Sequence, residues 1–160
     1  LFLDNGSSTQ ALATALKEHR ALRVYTNDVN VAHILAPTSA AVVLIGGRID
    51  ADEMATFGIE ALEQVAQYHV DISVVSAGGL SARAVLTDFS KSGVALRSQI
   101  LRAGQKGYII VDKEKFGVVG QFTMPKPPAG TTIIMDSDPE QDVIEALEHE
   151  ELAQIIATGA

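Results

Sequence analysis

Short apolar runs, separated by stretches of helical periodicity, set the pattern of this chain. Leu1 to Leu3, Leu22 to Tyr25, Ala41 to Ile45, Val70 to Ser76, Tyr108 to Val111 and Thr131 to Met135 are compact and rich in Val, Ile and Leu, as buried strands are. Between them the apolar positions take helical spacing. A first helix is expected from Gln10 to about His19, with Leu12, Ala13, Ala15 and Leu16 on its buried face and Ser8 or Thr9 as its cap. A second runs from Thr26-Asn27-Asp28 to Leu35 and stops at Pro37. Others are expected over Gly58 to Ala66, over Ser92 to Ala103 with Gly104 as a C-cap, and after Asp138-Pro139, where Val143, Ile144 and Leu147 share a face. Pro125, Pro127 and Pro128 mark a loop, and the tail after Glu151 reads as either more helix or a closing strand.

Strands alternating with helices in this way predict an α/β fold, a layered and mainly parallel sheet flanked by helices. Ligands of such sheets sit at the carboxyl ends of the strands. The polar and glycine-rich punctuation falls there: Asp4 to Thr9, Thr26 to Asp28, Gly46-Gly47-Arg48, Ala77-Gly78-Gly79 and Asp112 to Gly117. No repeat, low-complexity tract or linker divides the chain, so one domain over 1–160 is expected.

Composition narrows the function. The 160 residues are 47% hydrophobic but only 5% aromatic, with no Trp, so the core is aliphatic. No run approaches the ~18 apolar residues of a membrane span, and no signal-peptide pattern precedes the polar residues after Leu3. The absence of Cys removes disulfides and thiolate metal sites and is compatible with a cytoplasmic location. The net charge is −8 and the 12 Lys and Arg form no cluster, which makes direct binding of DNA or RNA a poor expectation. Lacking an initiator Met and starting inside an apolar run, the chain reads as a fragment with preceding residues missing.

The strongest chemical candidate is Asp4-Asn5-Gly6-Ser7-Ser8-Thr9. Gly6 permits a tight turn, three hydroxyl residues follow at a helix start, and unpaired N–H groups there favour an anion. A plain helix cap fits the same residues equally well. The loop is neither a Walker A motif nor a dinucleotide fingerprint. Asn27 could bond a sugar hydroxyl, although capping by Asn27 or Asp28 is the simpler reading. Arg48 could pair with an anion beside Gly47, or face solvent. Lys115 could neutralise a phosphate, or lie in a surface loop anchored by Phe116. Arg97 and Arg102 share a helix face only loosely, and a solvated face suits Arg102. His19, His33, His69 and His149 are scattered without ligand spacing. Asp88 and Asp112 have no nucleophile partner in the sequence, so no catalytic residue is assigned, and no metal or cofactor is expected.

In order along the chain, six of these segments resemble the sensor domain of DeoR-family transcriptional repressors. Phe2-Leu3-Asp4-Asn5-Gly6-Ser7-Ser8-Thr9 resembles the family's Asp-Ser-Gly-Thr-Thr-Thr loop. Val24-Tyr25-Thr26-Asn27, Leu44-Ile45-Gly46-Gly47 and Thr56-Phe57-Gly58 resemble its next three strand ends. Asp71 with Ser76-Ala77-Gly78-Gly79-Leu80, and Val111-Asp112-Lys113-Glu114-Lys115-Phe116-Gly117, resemble its last two. The resemblance implies a ribose-5-phosphate-isomerase-like fold and a phosphorylated sugar as effector. Gly6, Ser7, Ser8 and Thr9 would hold the phosphate, and Asn27, Gly47 and Lys115 would line the rest. It also implies a homodimer or tetramer, contacting DNA only through a winged helix-turn-helix domain preceding this segment. Two positions depart from the pattern: Gly78 stands where the family has Asp, and Arg97 where it has Lys. Losing the carboxylate argues against the alternative, a phosphosugar isomerase or related enzyme, and removes one acceptor for a sugar hydroxyl. A purely structural oligomerisation domain is a third possibility compatible with the first.

Overall fold

A computed structural model describes residues 1–83 and 85–156. Its centre is a seven-stranded sheet in the order β12-β11-β9-β6-β1-β2-β3, formed by β1 (Phe2–Leu3), β2 (Arg23–Thr26), β3 (Ala41–Leu44), β6 (Val70–Ser76), β9 (Gly104–Val111), β11 (Thr132–Met135) and β12 (Ala153–Ile156). Every pairing in it is parallel. The order carries the site. From β1 the chain adds β2 and β3 on one side, then returns to place β6 against the other side of β1 and builds outward from there. The helices on the two sides of this reversal leave opposite faces, which opens a crevice at the carboxyl ends of β1 and β6.

Alternation along the strands sends neighbouring side chains to opposite layers. Leu3, Val24 and Val74 pack with Ala13, Val31 and Leu35 of α1 (Ser7–Ala15) and α2 (Val29–Leu35). Phe2, Val75, Ile109 and Ile133 pack on the other face. There they meet Val65 of α3 (Ile59–Val65), Leu96 and Ile100 of α4 (Lys91–Ala103), and Leu147 of α5 (Gln141–His149). Each buried Leu or Ile contributes about 1.5–3 kcal/mol, so the two layers hold the strand ends rigidly.

Several boundaries differ from expectation. The first helix begins at Ser7 and ends at Ala15, and its N-cap is Gly6, not Ser8 or Thr9. Gly104 does cap α4, but in an extended conformation (φ −88, ψ 140) that leads straight into β9. Glycine is needed there for close approach, since a Cβ would lie 2.3 Å from Ser73 Oγ of β6. The tail closes the sheet as β12, while residues 157–160 lie outside the described residues. Two small antiparallel sheets have no counterpart in the expected elements. One is the hairpin β4 (Arg48–Asp50) with β5 (Ala55–Phe57); the other joins β7 (Gly79–Ser81), β8 (Val85–Asp88) and β10 (Phe122–Thr123).

Candidate functional site

β1 delivers Asp4, wholly buried, to the point where the sheet order reverses, and the Asp4 N–H donates to Val74 O of β6 at 3.0 Å. The chain then turns at Gly6 with φ 136, a left-handed conformation open to glycine. A Cβ at Gly6 would also press on Ser76 Oγ at 3.0 Å. Asp28 fixes this turn from the next strand end. Its Oδ1 accepts from Asn30 N and Val31 N to cap α2, and its Oδ2 accepts from Gly6 N at 3.2 Å and Gln10 Nε2 at 2.9 Å. Thr9 is buried, and its hydroxyl donates back to Gly6 O at 2.8 Å.

The start of α1 is therefore held in place without being closed. Gln10 is the first amide to find a helical acceptor, the Gly6 carbonyl, and no side chain caps those before it. N–H groups left in this way carry the positive end of the helix dipole. Ser7 is exposed there. Ser8 Oγ meets Asp112 Oδ2 at 3.5 Å, and the same oxygen takes Lys115 Nζ at 3.3 Å. Lys115 comes from a 3-10 turn, Lys113–Lys115, that follows β9.

Behind this opening lies a buried ionic cluster. Arg97 projects from α4 between two carboxylates, donating from Nε to Asp4 Oδ2 at 2.6 Å and from Nη1 to Asp88 Oδ2. Ser76 adds its amide and hydroxyl to Asp4 Oδ2, at 3.3 and 3.4 Å. Burial pushes the Asp4 carboxyl above the ordinary carboxylate range, against the pull of Arg97 and the N–H groups of Asn5 and Ser76. Burial also works against the Arg97 charge, yet the fields of Asp4 and Asp88 outweigh it and raise its pKa. The cation is the secure member, because guanidinium does not deprotonate in proteins. Any proton gained belongs to a carboxylate. Asp4 Oδ1 has no hydrogen-bond partner among the described residues.

Asn5 ties the cluster to its surroundings. Its Nδ2 donates to Glu53 Oε2 at 2.8 Å, and its Oδ1 accepts from Asn27 Nδ2 at 3.3 Å and Arg97 Nη2 at 3.4 Å. Asn27 is fully buried and also donates to Thr56 O at 3.3 Å, so it ties the ends of β1 and β2 to the middle of β5.

Above these groups opens a cleft of about 300 Å3. Gly6 and Ser7 line it from the first loop, Ser76, Ala77 and Gly78 from the end of β6, and Asp88, Phe89 and Ser90 from the β8–α4 connection, with Glu53, Arg97 and Lys115 closing the sides. Hollows of similar size lie elsewhere. One of about 390 Å3 surrounds Arg23, Tyr25, His69 and Asp71 at the opposite end of the sheet. Another, of about 330 Å3, lies among Arg83, Phe116, Glu140 and Val143. The first lies where the strands begin. The second adjoins the start of α5, which also lacks a side-chain cap, but Glu140 and Asp142 line it and no residue of the central sheet does.

Of the residues expected at a site, Gly6, Ser7, Gly78, Arg97 and Lys115 line the cleft. Asp4, Asn5, Thr9 and Asn27 are buried beneath it, and Ser8 is half-buried at Asp112. Gly47 and Arg48 are not among its lining residues: Arg48 is exposed on β4, and a Cβ at Gly47 would lie 2.7 Å from Phe57 O. Glu53, Phe89 and Ser90 also line the cleft and carry no mark in the sequence, and Ser76 enters the sequence reading only as part of the Ser76-Ala77-Gly78-Gly79-Leu80 motif, with no role of its own. Asp88 is not available as a free acid or base, since Arg97 holds one oxygen and the amides of Phe89 and Ser90 hold the other. The Asp-Phe-Ser run ahead of a helix was its only local signal. Arg102 is exposed, as are all four histidines, and among the described residues no group of His, Asp and Glu is placed to hold a metal ion.

The sequence profile described as DeoR C terminal sensor domain matches residues 1–137, from β1 through β11. The chain belongs to the DeoR C terminal sensor domain family. Among curated relatives of this sensor domain, the glycerol-3-phosphate regulon repressor of Escherichia coli (strain K12) is 26% identical over 148 residues, covering 92% of the chain and 59% of the relative. The repressor of the same name from Haemophilus influenzae is 28% identical over 117 residues, 72% of the chain and 46% of the relative. The HTH-type transcriptional repressor GlcR of Bacillus subtilis (strain 168) is 24% identical, over 92% of the chain and 57% of the relative. These names describe transcriptional repressors, not enzymes. The chain spans between 46% and 59% of the length of these three relatives. No helix of the sensor domain, among the described residues, is long and apolar enough to cross a membrane.

Proposed function

We propose that this domain senses a phosphorylated sugar or related metabolite in the cytoplasm, and that occupancy of its cleft alters DNA binding by a helix-turn-helix domain elsewhere in the full protein. The observation that carries this reading is the uncapped start of α1, pinned by Asp28 and opening beside Lys115 at the sheet's reversal point. Unpaired N–H groups and a lysine are suited to phosphate oxygens, and hydroxyls of the bound molecule would find acceptors such as Glu53. The relatives' names support a repressor, and one names a phosphorylated triol. A net charge of −8 is consistent with DNA contact being made by another domain. Against an isomerase stand the relatives' names, which describe repressors, and the pairing of Asp4 and Asp88 with Arg97. That pairing leaves Glu53, itself accepting from Asn5 Nδ2, as the one cleft carboxylate outside the cluster among the described residues. The domain also assembles with copies of itself in this reading. Edge strand β3 exposes Val43 at 37% and Leu44 at 44%, an open apolar edge of the kind that pairing covers; sedimentation equilibrium tests it, and a monomer at all concentrations contradicts it.

Thermal unfolding with inorganic phosphate, glycerol 3-phosphate and hexose 6-phosphates tests the effector reading. A bound phosphate ester at a hundredfold excess over Kd is expected to raise Tm by roughly 5 °C or more, whereas the unphosphorylated sugars leave it unchanged. Lys115→Ala is expected to weaken binding about tenfold. If no phosphate ester shifts Tm of the folded chain, the reading fails.

A further inference from the structure

The polar groups of the cleft account for a phosphate, but one wall is not polar. Ala77 and Gly78 form its floor, and the Phe89 ring stands over them, the one aromatic among the lining residues. Phe89 is 58% exposed, an unusual position for one of the few aromatic side chains in the molecule. Its backbone is fixed, because Asp88 Oδ1 accepts from Phe89 N at 2.7 Å and from Ser90 N at 3.0 Å, and Arg97 holds the other oxygen of Asp88. The ring's place depends on the bare backbone beneath it. A Cβ at Gly78 would lie 3.2 Å from Phe89 Cδ2, 3.0 Å from Asp88 Cα and 3.3 Å from Thr87 O. Any side chain at 78 must therefore displace the ring or the strand behind it. The bare backbone at Gly78 thus admits an aromatic face to the cleft.

We propose that Phe89, seated over Gly78, is the specificity-determining residue of the cleft: it covers the C–H face of a sugar ring, so that the domain prefers a cyclic sugar phosphate to an open-chain polyol phosphate. This rests on the phosphate reading above and adds to it the shape of the carbon skeleton. A sugar ring carries its hydroxyls around the rim and presents C–H groups on a face, which an aromatic ring removes from water with close dispersion contact. The opposite sides of the cleft, Ser7, Glu53 and Lys115, supply the polar partners for the rim and the phosphate. An extended polyol has no such flat face and gains little from Phe89.

Titration calorimetry on the chain, with glucose, mannose and galactose 6-phosphates each beside the matching hexitol 6-phosphate, tests the proposal, with inorganic phosphate reporting the phosphate subsite alone. At least one cyclic ester is expected to bind about tenfold tighter than its hexitol partner. Phe89→Ala is expected to erase that preference while changing hexitol and inorganic phosphate binding less than about twofold. Phe89→Tyr, which keeps the ring, retains it. Phosphate esters that bind without ring preference, or a preference that survives Phe89→Ala, overturn this proposal and leave the phosphate reading standing. Failure of every phosphorylated probe to bind removes both.

Discussion

Arg97 shows how much a single residue can conceal in sequence. The resemblance marks it as a departure from Lys and a solvated face is expected of Arg102, but nothing in the sequence says that Arg97 is buried between two carboxylates while Arg102 is exposed. What separates them is tertiary: Asp4 lies 93 residues away in sequence, and Asp88 reaches Arg97 from the turn before α4. Removing the cation strands two buried carboxylates, so Arg97→Met is expected to cost about 3–5 kcal/mol of stability in urea unfolding. A loss under 1 kcal/mol contradicts the pairing described. Asp4 gives the cluster a pH signature. Its folded-state pKa lies above the ordinary value of 3.8 because burial disfavours its charge. The folded state then holds a proton that the unfolded state has released, so the contribution of Asp4 is full below about 3.8 and is lost as pH rises through the elevated value. The stability of the natural chain relative to Asp4→Asn should therefore fall as pH rises from about 4, measured by urea unfolding at matched pH. A difference that stays constant or grows contradicts the assigned direction.

At the scale of elements, the strand–turn–helix unit β1–Gly6–α1 was legible in kind but not in detail. The short apolar run, the glycine and the hydroxyls are local signals, as was Asp28 as a cap for α2. The start of α1 was not, because a hydroxyl cap and a glycine cap are equally open to Gly6-Ser7-Ser8-Thr9. The choice is made by Asp28, which takes the Gly6 N–H from a different strand end. The small sheets escaped for another reason. Strands of two to four residues such as β4, β5, β7 and β10 are too short to show a period. Because Gly6 combines φ 136 with Ser76 Oγ 3.0 Å from where a Cβ would stand, Gly6→Ala is expected to cost about 1–3 kcal/mol and to weaken phosphate binding along with it. Unchanged stability in denaturant contradicts the turn geometry.

At the scale of the whole molecule, the class of fold followed from the alternation of strands and helices, but the strand order did not. The return from β3 to β6 is what sets the first loop against Ala77-Gly78 and draws Phe89 and Glu53 into one cleft, and no local motif encodes it. Ordered motifs at successive strand ends stand in for part of that information: they mark Gly6, Ser7, Gly78 and Lys115, whereas Glu53, Phe89 and Ser90, outside every motif, come to the cleft only through the tertiary fold. It also explains Gly47 and Arg48: they occupy a strand end like the others, but on the far side of β2, where the hairpin β4–β5 carries them away from the lining of the cleft. The central claim is that α1 meets the phosphate with its uncapped amides. Backbone amide NMR during titration with a hexose 6-phosphate tests it most directly. Ser7, Ser8 and Thr9 amide protons are expected to move downfield together as the ester binds, with Lys115 following. Shifts confined to the hollow at Arg23, His69 and Asp71, or to the one at Arg83 and Glu140, would contradict the account.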